Sequence, residues 1–105
     1  MSNTYTPSRW VIIQIDDGRT YIGVRKILAG WYGNYTDPDT WRLSSVITGT
    51  HDRVDHFEIE NESGSVYKCY KQNEGFSAYT ASVYESFKKA FEGKGTIKTI
   101  SSEEL

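Results

Sequence analysis

The segment His51-Asp52-Arg53-Val54-Asp55-His56 places two imidazoles and two carboxylates close together in the chain. These are the side chains that divalent transition metals prefer as ligands. If a strand contains His56, its neighbour Asp55 points to the opposite face. His51 and His56 are five residues apart, and this odd spacing also places them on opposite faces. We weigh a metal-assisted hydrolase site made of His51, Asp52, Asp55 and His56 against solvated residues of a turn and strand edge, and the spacing favours the second.

Two further acids lie close together at Asp37 and Asp39. Carboxylates one residue apart form part of a calcium-binding loop, but the glycine and distal glutamate of such a loop are missing. A turn held by Pro38, in which Asp39 or Thr40 bonds to the local backbone, accounts for them better.

Cys69 is the single cysteine, so no internal disulfide forms. A nucleophilic thiolate needs a base and a positive setting, but Lys68 points away from Cys69 on a strand, and we predict a buried thiol. No serine lies in a nucleophile-elbow pattern, and glycine-rich phosphate loops are absent from the sequence. The chain is therefore expected to be non-enzymatic and to need no cofactor.

Charge is divided unevenly along the chain. The formal net charge is -2 and the pI is near 5.6, which argues against a basic surface over the whole domain. Residues 34–62 hold seven acids and two arginines, whereas residues 63–98 hold six lysines and three glutamates. Four of these lysines cluster around the end of a predicted helix: Lys88, Lys89, Lys94 and Lys98. Ordinary helix-end solvation explains them, and a small nucleic-acid-binding barrel is the alternative.

Residues 29–41 combine four large aromatic side chains with turn-forming residues and follow neither a helix nor a strand period. The aromatics are Trp31, Tyr32, Tyr35 and Trp41. Connections this long are usually functional or disordered, and disordered segments are poor in aromatics. We interpret the segment as an ordered loop that either plugs the core or lines a pocket or interface.

Strand patterns occupy most of the chain before residue 72. Residues 9–15 are almost continuously apolar, which predicts a strand covered on both faces, and the Asp-Gly turn after them predicts a hairpin. Gly23 predicts a bend in the return strand. The predicted strands span residues 9–15, 21–28, 41–48, 54–60, 65–71 and 96–100, with a turn at 49–52.

One helix is predicted near the C-terminus. Its apolar stripe consists of Tyr79, Val83, Phe87, Ala90 and Phe91. The helix begins at Ser77 or Ser82 and ends at Gly93. Together the elements predict an α+β fold: a strongly curved, barrel-like, mostly antiparallel sheet of five to six strands with this amphipathic helix packed on it.

Length and composition indicate one domain. The 105 residues form a single domain, 1–105, in which residues 1–8 and 101–105 are expected to be flexible tails. Aromatic residues make up 14% of the chain and include eight tyrosines, which suits a contact surface. Neither a signal peptide nor a membrane-spanning apolar run is recognisable, so we expect a cytoplasmic protein with no membrane partner.

Two segments, residues 41–47 and 59–67, resemble the hairpin of short orphan proteins carried on phage, plasmids and integron gene cassettes. The resemblance implies an uncharacterised accessory protein of a mobile element and assigns no catalytic residue. The leading hypothesis is thus a non-enzymatic binding module, expected to be a homodimer, that uses residues 29–41 to contact a protein or small molecule.

Overall fold

Secondary structure follows the apolar pattern along most of the chain. The computed structural model describes residues 3–20 and 22–105. Within these ranges the strands and helix are β1 (Thr4–Tyr5), β2 (Arg9–Asp16), β3 (Val24–Trp31), β4 (Thr40–Leu43), β5 (Ile47–Asp52), β6 (His56–Asn61), β7 (Val66–Tyr70), α1 (Ala78–Phe91) and β8 (Thr96–Ile100). Short 3₁₀ turns span Lys71–Asn73 and Ser102–Glu104. No helix in these ranges has the length and apolar character needed to cross a bilayer.

The strands of the described ranges form two four-stranded sheets. Sheet A has the order β1-β7-β6-β5, and sheet B has the order β4-β3-β2-β8. Neighbouring strands are antiparallel except for β1 and β7, which are parallel. The α+β class and the mostly antiparallel pairing are confirmed. The described residues form two separate sheets where one barrel-like sheet was predicted, because the chain leaves sheet B after β4 and enters sheet A at β5.

Sheet B is the middle layer of the molecule. Ile12 belongs to the core between the two sheets, and its neighbour Ile13 belongs to a second core between sheet B and α1. Both side chains are completely buried. Since neighbouring residues of a strand point to opposite faces, β2 must be covered on both sides. The prediction from the apolar run 9–15 is confirmed.

A buried serine separates β4 from β5, which the sequence predicted to be one strand over residues 41–48. The backbone N–H of Ser44 donates to Ile27 O at 2.9 Å, and Ser44 Oγ accepts from Ile27 N at 2.8 Å. The Ser44 hydroxyl thus replaces the Ser44 backbone carbonyl, which would accept the hydrogen bond from Ile27 N in a regular antiparallel ladder. Side-chain bonds of this kind compete with a regular ladder. The single-strand prediction is wrong, because the ladder ends at Ser44 and the chain turns into sheet A.

Helix α1 begins at the first of its two predicted starts. Ser77 accepts a hydrogen bond from Thr80 N, and the Thr80 hydroxyl accepts from Ser77 N, so the two residues form a reciprocal cap. The buried face includes Tyr84, which the predicted stripe omitted. Tyr79 and Ala90, which the stripe included, are exposed. The face is therefore rotated slightly from the predicted one.

Gly30 allows α1 to approach β3 closely, since a Cβ atom at this position would collide with Thr80 Cγ2. We expect Gly30→Ala to lower the free energy of unfolding by about 1–3 kcal/mol, as overpacking usually does. Thr80→Ser removes the colliding methyl group and keeps the capping hydroxyl. Urea denaturation of both single variants and the double variant should therefore show that Thr80→Ser recovers most of the loss. If the double variant instead loses as much stability as the two single variants together, the contact between Gly30 and Thr80 does not limit the approach of α1 to β3.

The segments expected to be flexible tails take part in the fold where the structure describes them. Strand β1 pairs with β7, and Ser102 in the C-terminal 3₁₀ turn is buried. Residues 1 and 2 of the predicted N-terminal tail lie outside the described residues, as does residue 21 of the predicted return strand. That strand, β3, begins at Val24 and continues to Trp31, three residues into the predicted loop. Its extension leaves a shorter connection than the sequence suggested.

Candidate functional site

The two histidines of the proposed metal site lie on one face of the β5–β6 hairpin. The predicted turn at residues 49–52 is wrong, because these residues belong to β5 and the chain reverses after them, where Arg53 N donates to His56 O at 2.9 Å. His51 is the register partner of Glu58, which lies two residues after His56 on the same strand. Both imidazoles therefore point away from the inter-sheet core, and their predicted opposite orientation is also wrong.

Each imidazole is next to a different carboxylate. His56 Nδ1 lies 2.6 Å from Asp55 Oδ1, and this hydrogen bond lowers the pKa of the Asp55 carboxyl. His51 Nε2 lies 3.5 Å from Glu60 Oε1. Because each imidazole is paired with its own carboxylate, the atoms that could bind a metal ion do not converge on one point.

Asp52, the remaining member of the predicted metal site, points to the other face of β5. Its carboxylate lies 2.6 Å from Lys71 Nζ. Among residues 3–20 and 22–105, no three histidine, cysteine or acidic side chains are close enough to hold a metal ion. The geometry thus leaves Asp52 on the opposite face of β5 and does not bring the four residues proposed for a metal-assisted hydrolase around one point.

Cys69 lies in the core between the sheets and is completely buried, as predicted. Burial raises the pKa of its thiol, with a smaller contribution from the negative charge of Glu74. A thiol held in its protonated form is a poor nucleophile.

The lysines of the nucleic-acid alternative are split between faces. Lys88 Nζ lies 3.6 Å from Glu85 Oε1, so part of its charge is balanced locally. In β8, Ile97 packs toward α1, and the next residue, Lys98, therefore points to the opposite face of sheet B. The helix-end lysines Lys89 and Lys94 lie on the α1 side. The four side chains do not form one continuous basic surface.

The connection between β3 and β4 is cross-braced by its own side chains. Asn34 Oδ1 accepts hydrogen bonds from the backbone N–H groups of Thr36 and Asp37, both at 2.9 Å. Gly33 N donates to Asp39 Oδ1 at 2.7 Å, which confirms that Asp39 bonds to the local backbone. Bonds across a turn of this kind restrict its conformations.

The two tryptophans beside this loop point to opposite faces of sheet B. Trp31 contacts the edge of the Tyr5 ring, at 6.2 Å between centroids, and donates from Nε1 to Thr6 O at 3.0 Å. Trp41 contacts the edge of the Phe87 ring in α1, at 5.4 Å between centroids. The register explains the difference, because Trp41 is the partner of the residue before Trp31. Trp31 thus joins the inter-sheet side and Trp41 the helix side.

The two tyrosines of the loop face solvent. Tyr35 is fully exposed, and Tyr32 is 59% exposed. The four predicted aromatic residues therefore divide into two groups: Trp31 closes one end of the core, while Tyr32, Tyr35 and the 39%-exposed Trp41 remain accessible. The core-plug and interface interpretations each describe part of the segment, and the four rings do not enclose a common cavity.

A cleft of about 720 Å³ lies at one end of the sandwich, and Asp52 is the one member of its lining that the sequence indicated as part of a candidate site. It is lined by Thr50, Asp52, Phe57, Lys71, Glu74, Ser102, Glu103 and Leu105. The Glu74 carboxylate accepts from Ser102 N at 3.0 Å and from Ser102 Oγ at 2.7 Å. These two bonds attach the C-terminal 3₁₀ turn to Glu74, which follows β7. No local sequence pattern predicts contacts between residues so far apart in the chain.

A second surface combines the exposed side of β4 with the neighbouring side of α1. We call this the β4 edge surface and define it by Trp41, Leu43, Val83, Phe87 and Ala90; none of these side chains is charged. A groove of about 210 Å³ opens beside Leu43. Its lining consists of Ile15, Lys26, Leu43, Phe87, Ala90, Phe91 and Ile97. All members of this lining except Lys26 are apolar. The sequence indicated these apolar residues as core but did not show that part of their surface stays open.

No protein-family model, curated protein or solved structure matches this chain. The resemblance of its hairpin segments to proteins of mobile elements stays a prediction.

Proposed function

We propose that this protein is a non-enzymatic binding module whose contact surface is the β3–β4 loop together with the β4 edge surface. The observation that carries the proposal is the fully exposed ring of Tyr35 on a turn held by Asn34 and Asp39. A side chain on a braced turn loses less conformational entropy on binding than one on a loose loop. The arrangement is therefore suited to contact with another molecule.

The chemistry of this surface favours a protein partner. Tyrosine and tryptophan are enriched where binding energy concentrates in protein interfaces, and charged residues are depleted from the centres of such interfaces. Tyr32, Tyr35 and Trp41 supply the first property, and the uncharged β4 edge surface supplies the second. The homodimer and the cytoplasmic location expected from the sequence stay predictions.

We expect Tyr35→Ser to weaken binding by about tenfold or more, the effect of removing an aromatic contact at the centre of an interface. The probe is a set of peptides selected from a random displayed library on the immobilised wild-type protein, with each affinity measured by surface plasmon resonance. Val54→Ser is the matched control, since Val54 is 97% exposed on the distant β5–β6 turn. Both substitutions lie on exposed turns, so neither should alter the unfolding temperature.

The proposal is wrong if the selected peptides bind both variants as tightly as the wild type, or if only Val54→Ser weakens them. Sedimentation velocity over a range of protein concentrations tests the dimer. A dimer that persists in Tyr35→Ser would place the self-contact elsewhere, and a monomer at every concentration would show that the partner is a different molecule.

A further inference from the structure

The outer edge of β4 presents backbone groups that have no partner among the described residues. Ser44 N donates to Ile27 O, which sets the alternation of this antiparallel ladder. The backbone groups of Arg42 accordingly face β3, and those of Trp41 and Leu43 face away from it. Within residues 3–20 and 22–105, no hydrogen bond satisfies the N–H or C=O groups of Trp41 and Leu43. An extended segment alongside β4 would satisfy them.

The other sheet edges carry features that discourage strand addition. β5 has an irregular register between Ile47 and Gly49, β8 carries Lys98 on its exposed edge, and β1 has only two residues. Bulges, lysines and short length are the devices by which proteins keep edges from pairing. β4 has four residues and carries Arg42, but it has neither a bulge nor a lysine, and its outward backbone groups lie beside a mainly apolar groove.

The two sides of the β4 edge differ in chemistry. On the α1 side, the β4 edge surface and its groove offer mainly apolar contacts beside Trp41 and Leu43, and Lys26 is the charged member of the groove lining. On the opposite side, the Arg42 guanidinium lies 4.6 Å from the centre of the Tyr5 ring and forms no ion pair with a carboxylate of the described ranges. A strand beside β4 would therefore meet apolar groups on one face and a positive charge on the other.

We propose that β4 accepts an extended segment of a partner protein as an additional antiparallel strand of sheet B, and that this segment has the pattern apolar–acidic–apolar. The inference rests on the binding function proposed above. Side chains of paired strands share a face, so the two apolar residues lie beside Trp41 and Leu43, and the acidic residue lies beside Arg42. Main-chain hydrogen bonds supply affinity, while the alternating side chains supply specificity.

A second copy of the chain fits this edge poorly. Antiparallel self-pairing centred on Arg42 places two guanidinium groups directly opposite each other, which is unfavourable. Self-pairing centred on Trp41 places the Asp39 carboxylate opposite the apolar side chain of Leu43. Self-pairing centred on Leu43 is blocked because the chain leaves the sheet at Ser44. Charge complementarity thus favours an acidic segment of another protein.

The test uses the full-length ¹⁵N-labelled protein and two blocked peptides, acetyl-Ser-Thr-Leu-Glu-Leu-Thr-Ser-amide and its variant with Lys in place of Glu. The Glu peptide should shift the amide signals of Trp41 and Leu43 and slow their exchange with solvent by about tenfold at saturation. The Lys peptide should bind more weakly. Arg42→Glu should reverse this preference, and a thermal melt checks that the variant remains folded.

Peptide methylation provides a test without a protein variant. In the antiparallel arrangement, N-methylation of the two leucines removes donors that face β4 and should abolish binding, whereas N-methylation of the central glutamate should leave binding within about twofold. Strand addition is overturned if the Glu peptide leaves Trp41 and Leu43 unchanged, if both peptides bind equally, or if both methylated forms bind alike. Concentration-dependent protection of these amides without peptide would assign the edge to a second copy and overturn the inference.

These outcomes separate the inference from the proposed function. If library-selected peptides depend on Tyr35 but no peptide protects Trp41 and Leu43, the binding surface stands and strand addition at β4 fails. If neither result is obtained, both proposals fail.

Discussion

Replacing either Ile12 or Ile13 by alanine should lower the free energy of unfolding by about 2–5 kcal/mol, the usual cost of removing a large aliphatic side chain from a core. These neighbours are completely buried on opposite faces of β2. In a two-layer fold, one of two successive strand residues faces solvent and its truncation costs little. Here both losses should be large, because the inter-sheet core covers Ile12 and α1 covers Ile13. Urea denaturation monitored by circular dichroism measures them.

Gln14→Ala is the matched control for these two variants, since Gln14 is the next residue of β2 and is only partly buried. It loses one hydrogen bond, which Arg25 Nε donates to Gln14 Oε1 at 3.2 Å, and should cost about 0.5–1.5 kcal/mol. A loss for Ile13→Ala as small as that of Gln14→Ala would show that α1 does not cover sheet B in solution. The same result for Ile12→Ala would contradict the packing of the two sheets.

Trp10→Ala should lower the free energy of unfolding by about 3–5 kcal/mol. The Trp10 ring is completely buried, contacts the edge of Phe57 at 6.1 Å between centroids, and donates from Nε1 to Tyr70 O at 2.8 Å. It therefore joins β2 of sheet B to β6 and β7 of sheet A. Since domains of this size have a total stability of about 5–15 kcal/mol, the variant should melt far below the wild type. Differential scanning calorimetry provides the measurement.

Trp10→Phe separates the volume of the ring from its hydrogen bond. The phenyl ring keeps much of the apolar contact with Phe57 but leaves the Tyr70 carbonyl without its donor, at a cost of about 1–3 kcal/mol. We expect its melting temperature to lie between those of the wild type and Trp10→Ala. If Trp10→Phe is as unstable as Trp10→Ala, the hydrogen bond matters more than the packing of the ring.

Features that depend on residues close together in the chain could be predicted. The almost continuously apolar run of β2 indicated burial on both faces, the alternation in β6 and β7 indicated a hairpin, and the spacing around Phe87 indicated the helix. The internal bond of Asp39 was also predictable, since its donor Gly33 lies in the same loop. In each case a local steric or hydrogen-bonding preference agrees with the final structure.

Features that depend on which strands become neighbours were not predictable. A polar residue such as Ser44 fits a strand pattern, and only its contact with Ile27 shows that it ends β4 and sends the chain to the other sheet. The strand β1 is too short to be recognised without its partner β7. One curved sheet was therefore predicted where the described residues form two.

The candidate sites show the same division. The sequence identified exposed aromatic residues between β3 and β4, but the separation of Trp31 from Trp41 follows from the register of two paired strands. It also identified the histidine-rich segment, but a turn displaced by a few residues reversed the predicted orientation of His51 relative to His56. An error of one residue in a strand changes the face of every side chain that follows.

The sequence by itself determined the chemical character of this protein: an acidic, tyrosine-rich chain with a doubly buried strand, one amphipathic helix and no recognisable catalytic motif. The tertiary structure decided which aromatic rings stay accessible and where a strand edge is left open beside Arg42. The physical reason is that residue type and short-range spacing govern burial and local conformation, whereas accessibility depends on the partners that long-range pairing brings to each face.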